Sequence, residues 1–494
     1  MHAKAPSPNL IARFVDIVGE ANALTRAEDQ VAYLREWRDR YVGRTPVVLR
    51  PGSTAEVARI LSLAHAEDVG IVPQGGNTGL VGGQIPSADG RQIVLSLSRL
   101  KAIRDVDAVG GTMIVESGVT LTEAQNAAKA AGRLFPLSLA SEGSAQIGGV
   151  LSSNAGGTAV LAYGNARSLA LGLEAVLADG RVWNGLRQLC LGLEVVTAAG
   201  EVWSGLAGLR KDNTGYDLRD LLIGSEGTLG IITAACLKLF PMPAERETAI
   251  VAFQTPEAIM KLFRRAEVEA GQSLTAFEFW ADRAQEFALK YMANMRDPFT
   301  DAYPWYALIE ISHGGKGNRV ANTIESLLAA AHGQGLILDA TIARSLRQAE
   351  DFWRLRESFS EAQKGAGGSI KHDISVPVTR IPEFLKQAAN VVERIAPGAR
   401  PVPFGHFGDG NLHYNVTQPL GADRNAYLAL WEPMTEAIFA LVTEFGGSIS
   451  AEHGIGQMKR EALRRHKSEV ELDMMRAIKT ALDPKGILNP GKVL

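Results

Sequence analysis

Cysteine is nearly absent: Cys190 and Cys236 are the two in 494 residues, and no Cys-x-x-Cys pair occurs. That excludes a disulfide scaffold and a thiolate zinc site, and it fits a reducing compartment. A strong charge of either sign is missing too. A net charge of −3 excludes a strongly basic nucleic-acid surface, and 46% hydrophobic residues exclude a disordered acidic chain. No basic-then-apolar leader opens the chain, because Lys4, Arg13, Asp16 and Glu20 interrupt it. Long apolar runs are also lacking. Residues 143–166 carry no charge over 24 positions, but Gly, Ser, Ala, Asn and Thr dominate them, so they suit wrapping a ligand better than crossing a bilayer. A cytoplasmic protein without a transmembrane segment is expected.

What the chain has in excess is glycine, 51 residues of it, clustered rather than scattered. Clustered glycine means positive φ angles or backbone brought close to a ligand. The length predicts two or three domains. Residues 8–42 read as helical, then strand 46–50, a helix opened by the capping-box spacing Ser53-x-x-Glu56, and strand 70–73. Strands 93–97 and 113–116 follow, an α+β pattern rather than a regular Rossmann alternation. A repeat of period 20 occupies 171–210: Leu171-Gly-Leu-Glu…Val-Trp183 recurs as Leu191-Gly-Leu-Glu…Val-Trp203, each copy reading as strand, turn, strand. Pro241 and Pro243 mark a domain boundary, beyond which helices (256–270, 318–334) alternate with strands (307–312, 336–343). Gly446-Gly447 opens a last segment with a helix at 460–482.

Three glycine-rich segments carry chemistry. The first, residues 73–83, places Gly75, Gly76 and Gly79 after a strand, where successive backbone N–H groups can cradle one anion. It is neither a Walker A loop nor a helix-opening GxGxxG. The second runs over 143–157 and the third over 224–230, and three such segments suggest one large ligand wrapped by loops. A different chemistry gathers at 404–415. Gly408-Asp-Gly-Asn411 is a strong turn signal, so the chain can reverse between His406 and His413. Two imidazoles and a carboxylate suit zinc, manganese or iron with open positions for substrate. The carboxylate candidate is Glu452, followed by His453; His372 is a fourth histidine in this third of the chain. On a helix, Arg356 and Ser360 stand at i and i+4, and arginine is the usual clamp for a carboxylate.

Taken in order, these segments resemble the FAD-linked oxidase family of the vanillyl-alcohol oxidase and p-cresol methylhydroxylase type, and within it the D-2-hydroxyglutarate and D-lactate dehydrogenase branch. The resemblance covers roughly residues 40–494, on 73–83, 148–157, 210–218, 224–233, 405–415 and 451–456. It implies an α+β fold: a two-subdomain FAD-binding fold of the p-cresol methylhydroxylase type, an α+β substrate (cap) domain, and a C-terminal helical segment. The divisions expected are an N-terminal helical segment 1–41, the FAD domain 42–243, the cap 244–445 and a C-terminal segment 446–494 completing the active site.

The resemblance places pyrophosphate binding on Gly75, Gly76, Asn77, Thr78 and Gly79. A second FAD segment falls on Pro136, Gly143, Ser144, Gly148, Gly149, Asn154, Gly156 and Gly157, with further contacts near Gly227, Gly230, Ile232 and Asn489. Some relatives attach the flavin through a histidine in the first loop; Asn77 stands there, which implies non-covalent FAD. Metal ligands fall on His406, His413 and Glu452, substrate carboxylate binding on Arg356, Ser360, Lys371 and Asn415, and the general base on His453. The implied reaction oxidises a D-2-hydroxy acid: the metal, zinc before manganese or iron, assists loss of the hydroxyl proton to His453, and hydride passes to flavin N5. Lys371 favours 2-hydroxyglutarate over lactate or glycolate. An electron-transfer flavoprotein or a quinone is the expected acceptor, with a homodimer one admissible assembly. Ser360 departs from an expected threonine. Relatives carry one copy of the duplicated hairpin, so folding and FAD retention are in question, and a flavin-binding protein inactivated by the duplication is the rival reading.

Overall fold

A computed structural model describes residues 5–179, 182–185, 195–196, 202–203 and 217–494. The chain forms two compact units. One comprises Met1–Gly157, Gly164–Met242 and His453–Leu494; the other comprises Thr158–Tyr163 and Pro243–Glu452.

The first unit's two larger sheets have four and five strands among the described residues, beside two two-stranded ribbons. In the smaller, the strands Val48–Leu49, Ile93–Ser96 and Ile71–Gln74 run parallel, and Ala23–Leu24 pairs antiparallel at the edge. The helix Thr54–Glu67 connects two of these strands and covers them. Ser53 accepts from the Glu56 N–H at 3.2 Å, while the Glu56 carboxylate reaches back to the Gly52 N–H at 2.8 Å, one residue beyond a standard capping box. Val57, Ile60, Leu61 and Ala64, at helical spacing, are fully buried against Ile71, Ile93 and Leu95. Asp68, left-handed at φ 57°, ends the helix and turns the chain into the next strand.

The expected helical stretch 8–42 is two helices, Pro8–Val18 and Ala27–Leu34. Gly19, at φ +78°, returns its N–H to the Val15 carbonyl and stops the first. The expected helix 460–482 is likewise two, Arg460–His466 and Glu469–Leu482, because Ser468 and Glu471 form a capping box that starts a new one. Periodicity spans both breaks, which is why the sequence pattern missed them.

The second sheet of this unit is antiparallel, in the order Ile103–Asp107, Thr112–Glu116, Ile231–Lys238, Ala170–Val176, Val182–Gly185. The last two strands are the first copy of the repeat, paired with each other. The second copy contributes Val195–Val196 and Val202–Trp203, which pair as a separate two-stranded ribbon. The first copy therefore holds the place in the sheet. The turns at Gly180 and Ala199-Gly200, and all of 204–216, lie outside the described residues. Glu174 anchors the first copy: Arg104 grips its carboxylate with two N–H groups at 3.1 and 3.2 Å, and Thr233 donates at 2.6 Å.

The other unit is built on one mixed-length antiparallel sheet. Its path is Asp339–Ile342, Glu245–Phe253, Trp305–His313, Leu274–Ala281, Arg400–His406, Asn411–Thr417, Ser369–Ile370, and Asp373–Ser375 also pairs with Asn411–Thr417. The helices Pro256–Ala270, Asp282–Tyr291, Arg319–Gly333 and Leu346–Glu357 each bury an apolar stripe. Trp280, Phe404, Phe352, Leu355 and Phe359 form one core cluster. Among the described residues, no helix is long and apolar enough to cross a membrane.

Candidate active site

In the first unit, the three glycine-rich segments converge. Gly76 packs so closely on the Ser144 carbonyl that a Cβ would collide with it, and Gly148 would set one 2.6 Å from the Ser117 Cβ. A Cβ on Gly227 would strike the Pro73 ring, and one on Gly157 would strike the Ser138 carbonyl. These four glycines let neighbouring segments approach more closely than a Cβ would allow. Gly149 differs: a Cβ there would meet nothing within 4 Å, and its N–H lies 3.8 Å from the Cβ position of Gly75. Gly143 also faces open space.

The amides of Gly75, Gly76, Asn77, Thr78 and Gly79 donate to no acceptor among the described residues. Five consecutive unclaimed N–H groups are a donor set suited to an anion. Asn77 is left-handed at φ 56°, and its side chain is fully employed in closing the loop: it donates to the Ala32 and Arg35 carbonyls at 2.9 Å and accepts from Gln84 at 3.1 Å. Two buried amide oxygens nearby, Gln146 Oε1 and Asn489 Oδ1, have no hydrogen-bond partner. Gln146 Oε1 lies 3.3 Å from the Cβ position of Gly75. Unclaimed donors beside orphan acceptors fit a dinucleotide, whose pyrophosphate takes N–H groups and whose ring and riboses offer N–H and O–H groups. Gln146 has no motif to announce it, so the sequence pattern does not single it out.

Other residues assigned to the second and third segments are tied to protein. Asn154, left-handed at φ 50°, accepts from the Arg167 N–H at 3.0 Å. Asn489 donates to the Gly83 and Glu226 carbonyls at 3.0 and 2.8 Å. Ile232 and Pro136 are buried, and Gly230 packs on Leu222.

In the second unit, the turn at 407–410 reverses the chain between the strands Arg400–His406 and Asn411–Thr417, with Gly410 at φ +83°. Register then decides what meets. His413 pairs with Phe404, and His406 is two residues beyond Phe404, so both imidazoles stand on one face as diagonal neighbours, ring centres 5.8 Å apart. Glu452 completes the group: its carboxylate oxygens lie 3.4 Å from His406 Nε2 and 3.9 Å from His413 Nε2. One ligand atom from each of the three falls within 4.8 Å of the others, a spacing that fits a divalent metal.

A residue absent from the sequence reading organises this group. Glu278 pairs directly with His406 across adjacent strands, and its Oε1 meets His406 Nδ1 at 2.8 Å. Its Oε2 binds Arg356 through Nε at 3.0 Å and Nη2 at 2.7 Å. Holding Nδ1 leaves Nε2 to face Glu452 and His413, which is how carboxylates orient metal-binding histidines. Burial alone would lower the His406 pKa, but the Glu278 and Glu452 carboxylates raise it to about 9. Burial would raise Glu278, but His406 and Arg356 hold it below the usual carboxylate range. The signal was a lone acid inside the apolar strand Leu274–Ala281.

Arg356 is buried, lies over the Phe404 ring at 5.1 Å and spends one edge of its guanidinium on Glu278. Ser360 differs from it in burial and lies on a short following helix, Phe359–Ala362, joined through Ser358 in helical conformation. The helix Leu346–Glu357 ends at Ser358, and Ser360 is exposed, its carbonyl accepting from Lys371 Nζ at 2.9 Å. Asn415 is buried two residues beyond His413. Asp373 accepts from the Glu452 N–H at 3.1 Å and from Asn411 Nδ2 at 3.1 Å, steadying the chain that carries the carboxylate. His372 stands apart from the metal group: its Nδ1 meets the Tyr414 carbonyl at 2.7 Å and its ring packs on Phe439. His453 follows Glu452 in sequence and belongs to the first unit, half-buried.

Residues 45–185 match the FAD binding domain, and residues 242–493 match the C-terminal domain of FAD linked oxidases. The chain belongs to the FAD-linked oxidase family. It is 36% identical to "D-2-hydroxyglutarate dehydrogenase, mitochondrial" of Arabidopsis thaliana, over 98% of this chain and 81% of that one. It is 37% identical to "D-2-hydroxyglutarate dehydrogenase" of Xanthomonas citri pv. viticola, over 95% of this chain and 93% of that one. Its fold is that of p-cresol methylhydroxylase, with a TM-score of 0.73 at 14% identity over 100% of this chain and 98% of that one. The FAD-linked oxidase fold expected from sequence is therefore the one observed, and the first two glycine-rich segments, 73–83 and 143–157, lie within the residues that match the FAD binding domain.

Proposed function

We propose that this protein is an FAD-dependent dehydrogenase that oxidises a D-2-hydroxy acid, 2-hydroxyglutarate foremost, to the 2-oxo acid. The names of its relatives at 36–37% identity support the substrate class. The observation that carries the reading is the Glu278–His406 pair, which aims one imidazole nitrogen at Glu452 and His413.

FAD supplies the hydride acceptor when bound, and with the Asn77 side chain engaged in its own loop the attachment is non-covalent. His406, His413 and Glu452 would hold a divalent metal, zinc in first place, and that ion would lower the pKa of the substrate hydroxyl. His453 receives the hydroxyl proton. Arg356, its plane fixed by Glu278, clamps the carboxylate beside the reacting carbon, and Asn415 adds a hydrogen bond. Lys371, with Ser360 beside it, suits the distal carboxylate of a dicarboxylic acid, which favours 2-hydroxyglutarate over lactate. Electrons then pass to an electron-transfer flavoprotein or a quinone.

The test is His413→Ala. The purified variant is expected to stay yellow with full FAD content, lose bound metal, and fail to reduce its flavin when D-2-hydroxyglutarate is added without oxygen. Reduction at the wild-type rate in a metal-free variant rejects the metal role.

A further inference from the structure

Glu226 lies in the third glycine-rich segment, within the same unit as His453, and neither the fold nor the proposed chemistry explains its conformation. It is left-handed at φ 53°, a region that a residue with a long side chain occupies only under strain. What that conformation achieves is visible in its carboxylate. Oε1 accepts from the Ile455 N–H at 2.7 Å, and Oε2 accepts from the Gly456 N–H at 2.7 Å. Both are short, charge-assisted bonds to consecutive amides, two and three residues beyond His453. Gly454, at φ +79°, is shaped around the same carboxylate: a Cβ there would lie 2.7 Å from Oε1.

The backbone of Glu226 is itself pinned on both sides. Its N–H donates to the Ser152 carbonyl at 2.8 Å, and its own carbonyl accepts from Asn489 at 2.8 Å. The carboxylate is thus a fixed point on the FAD cradle from which the segment 453–456 hangs. The segment has a second tether, where the Val493 N–H donates to the Gly456 carbonyl at 2.9 Å. Glu226 and the Gly454 turn act on the side of the segment toward His453.

We infer that Glu226 is a positioning residue for His453, holding the base-bearing segment in register with the flavin cradle through the Ile455 and Gly456 amides. The inference rests on His453 being the base. In Glu226→Gln one amide group must face a backbone N–H with its own NH₂, so one bond is lost and a donor meets a donor, while shape and the Asn489 contact are kept.

Four readouts on the holoenzyme separate this from a general structural role. FAD content of Glu226→Gln stays at the wild-type level, and amide exchange rises in peptides covering 453–457. The limiting rate of anaerobic flavin reduction by D-2-hydroxyglutarate falls about 10- to 100-fold, as a misplaced group of this kind costs. The substrate dissociation constant stays within about twofold. Gly454→Ala, which perturbs the same seat from the opposite side, gives the same split if Glu226→Gln fails to fold. Adding Glu226→Gln to His453→Ala produces no further loss. A wild-type limiting rate in both single variants, a loss that tracks FAD content, or an additive loss in the double variant overturns the inference. His453→Ala reducing its flavin at the wild-type rate overturns the base assignment itself; an inactive His453→Ala beside fully active Glu226→Gln and Gly454→Ala overturns only the positioning.

Discussion

Glu278 shows how one residue can set a site without touching what the site binds. Its carboxylate is fully enclosed, and two cations, His406 and Arg356, compensate it. Removing one partner of such a buried group leaves the others uncompensated, which costs about 3–5 kcal/mol. Glu278→Gln is therefore expected to destabilise the fold by that order in urea titrations, and to weaken zinc binding about 10- to 100-fold by calorimetry, because His406 loses the bond that orients it. The acid–base behaviour follows from the same three groups. His406, raised from 6.5 to about 9, adds stability that is complete below 6.5 and lost as pH rises through about 9. Glu278, lowered from 4.5, adds stability that is complete above 4.5 and lost as pH falls through its folded value. Chelator-treated protein should thus melt highest between these limits. A melting temperature still rising from pH 7 to 10 would contradict the pairing.

At the scale of elements, the hairpin around 407–410 was legible because Gly408-Asp-Gly-Asn411 demands a turn, and an antiparallel register then follows of itself. The glycine segments were legible as a class, but not in their division of labour: Gly76, Gly148 and Gly227 serve packing, whereas Gly149 faces open space. Glu278 was not legible, since no spacing links it to His406, 128 positions away, until strands align them. Helix ends at Gly19 and Ser468 were missed for a related reason, the apolar period continuing across them. The duplicated hairpin was seen in full, and its outcome depends on pairing. The first copy sits in the five-stranded sheet through Glu174, whereas the described strands of the second pair only with each other. Deleting residues 187–206, which restores a single copy, should leave FAD content equal or higher, measured by absorbance of the purified protein. A deletion variant that is soluble yet colourless would show that the second copy is needed.

The whole molecule divides its labour between two units: one presents unclaimed amides and orphan oxygens suited to a dinucleotide, the other a histidine–carboxylate group held by Glu278. The family could be read in the sequence because it is carried by short segments in order, while the proposed preference for 2-hydroxyglutarate rests on Lys371, whose contact with the Ser360 carbonyl appears only in the fold. The most direct test is anaerobic flavin bleaching by a panel of D- and L-2-hydroxy acids, with and without chelator. The account predicts rapid bleaching by D-2-hydroxyglutarate, slower bleaching by D-lactate, none by the L-acids, and loss of bleaching after metal removal with recovery on adding zinc. Bleaching indifferent to the hand of the substrate and to chelator, or a yellow protein that no hydroxy acid bleaches, would contradict it.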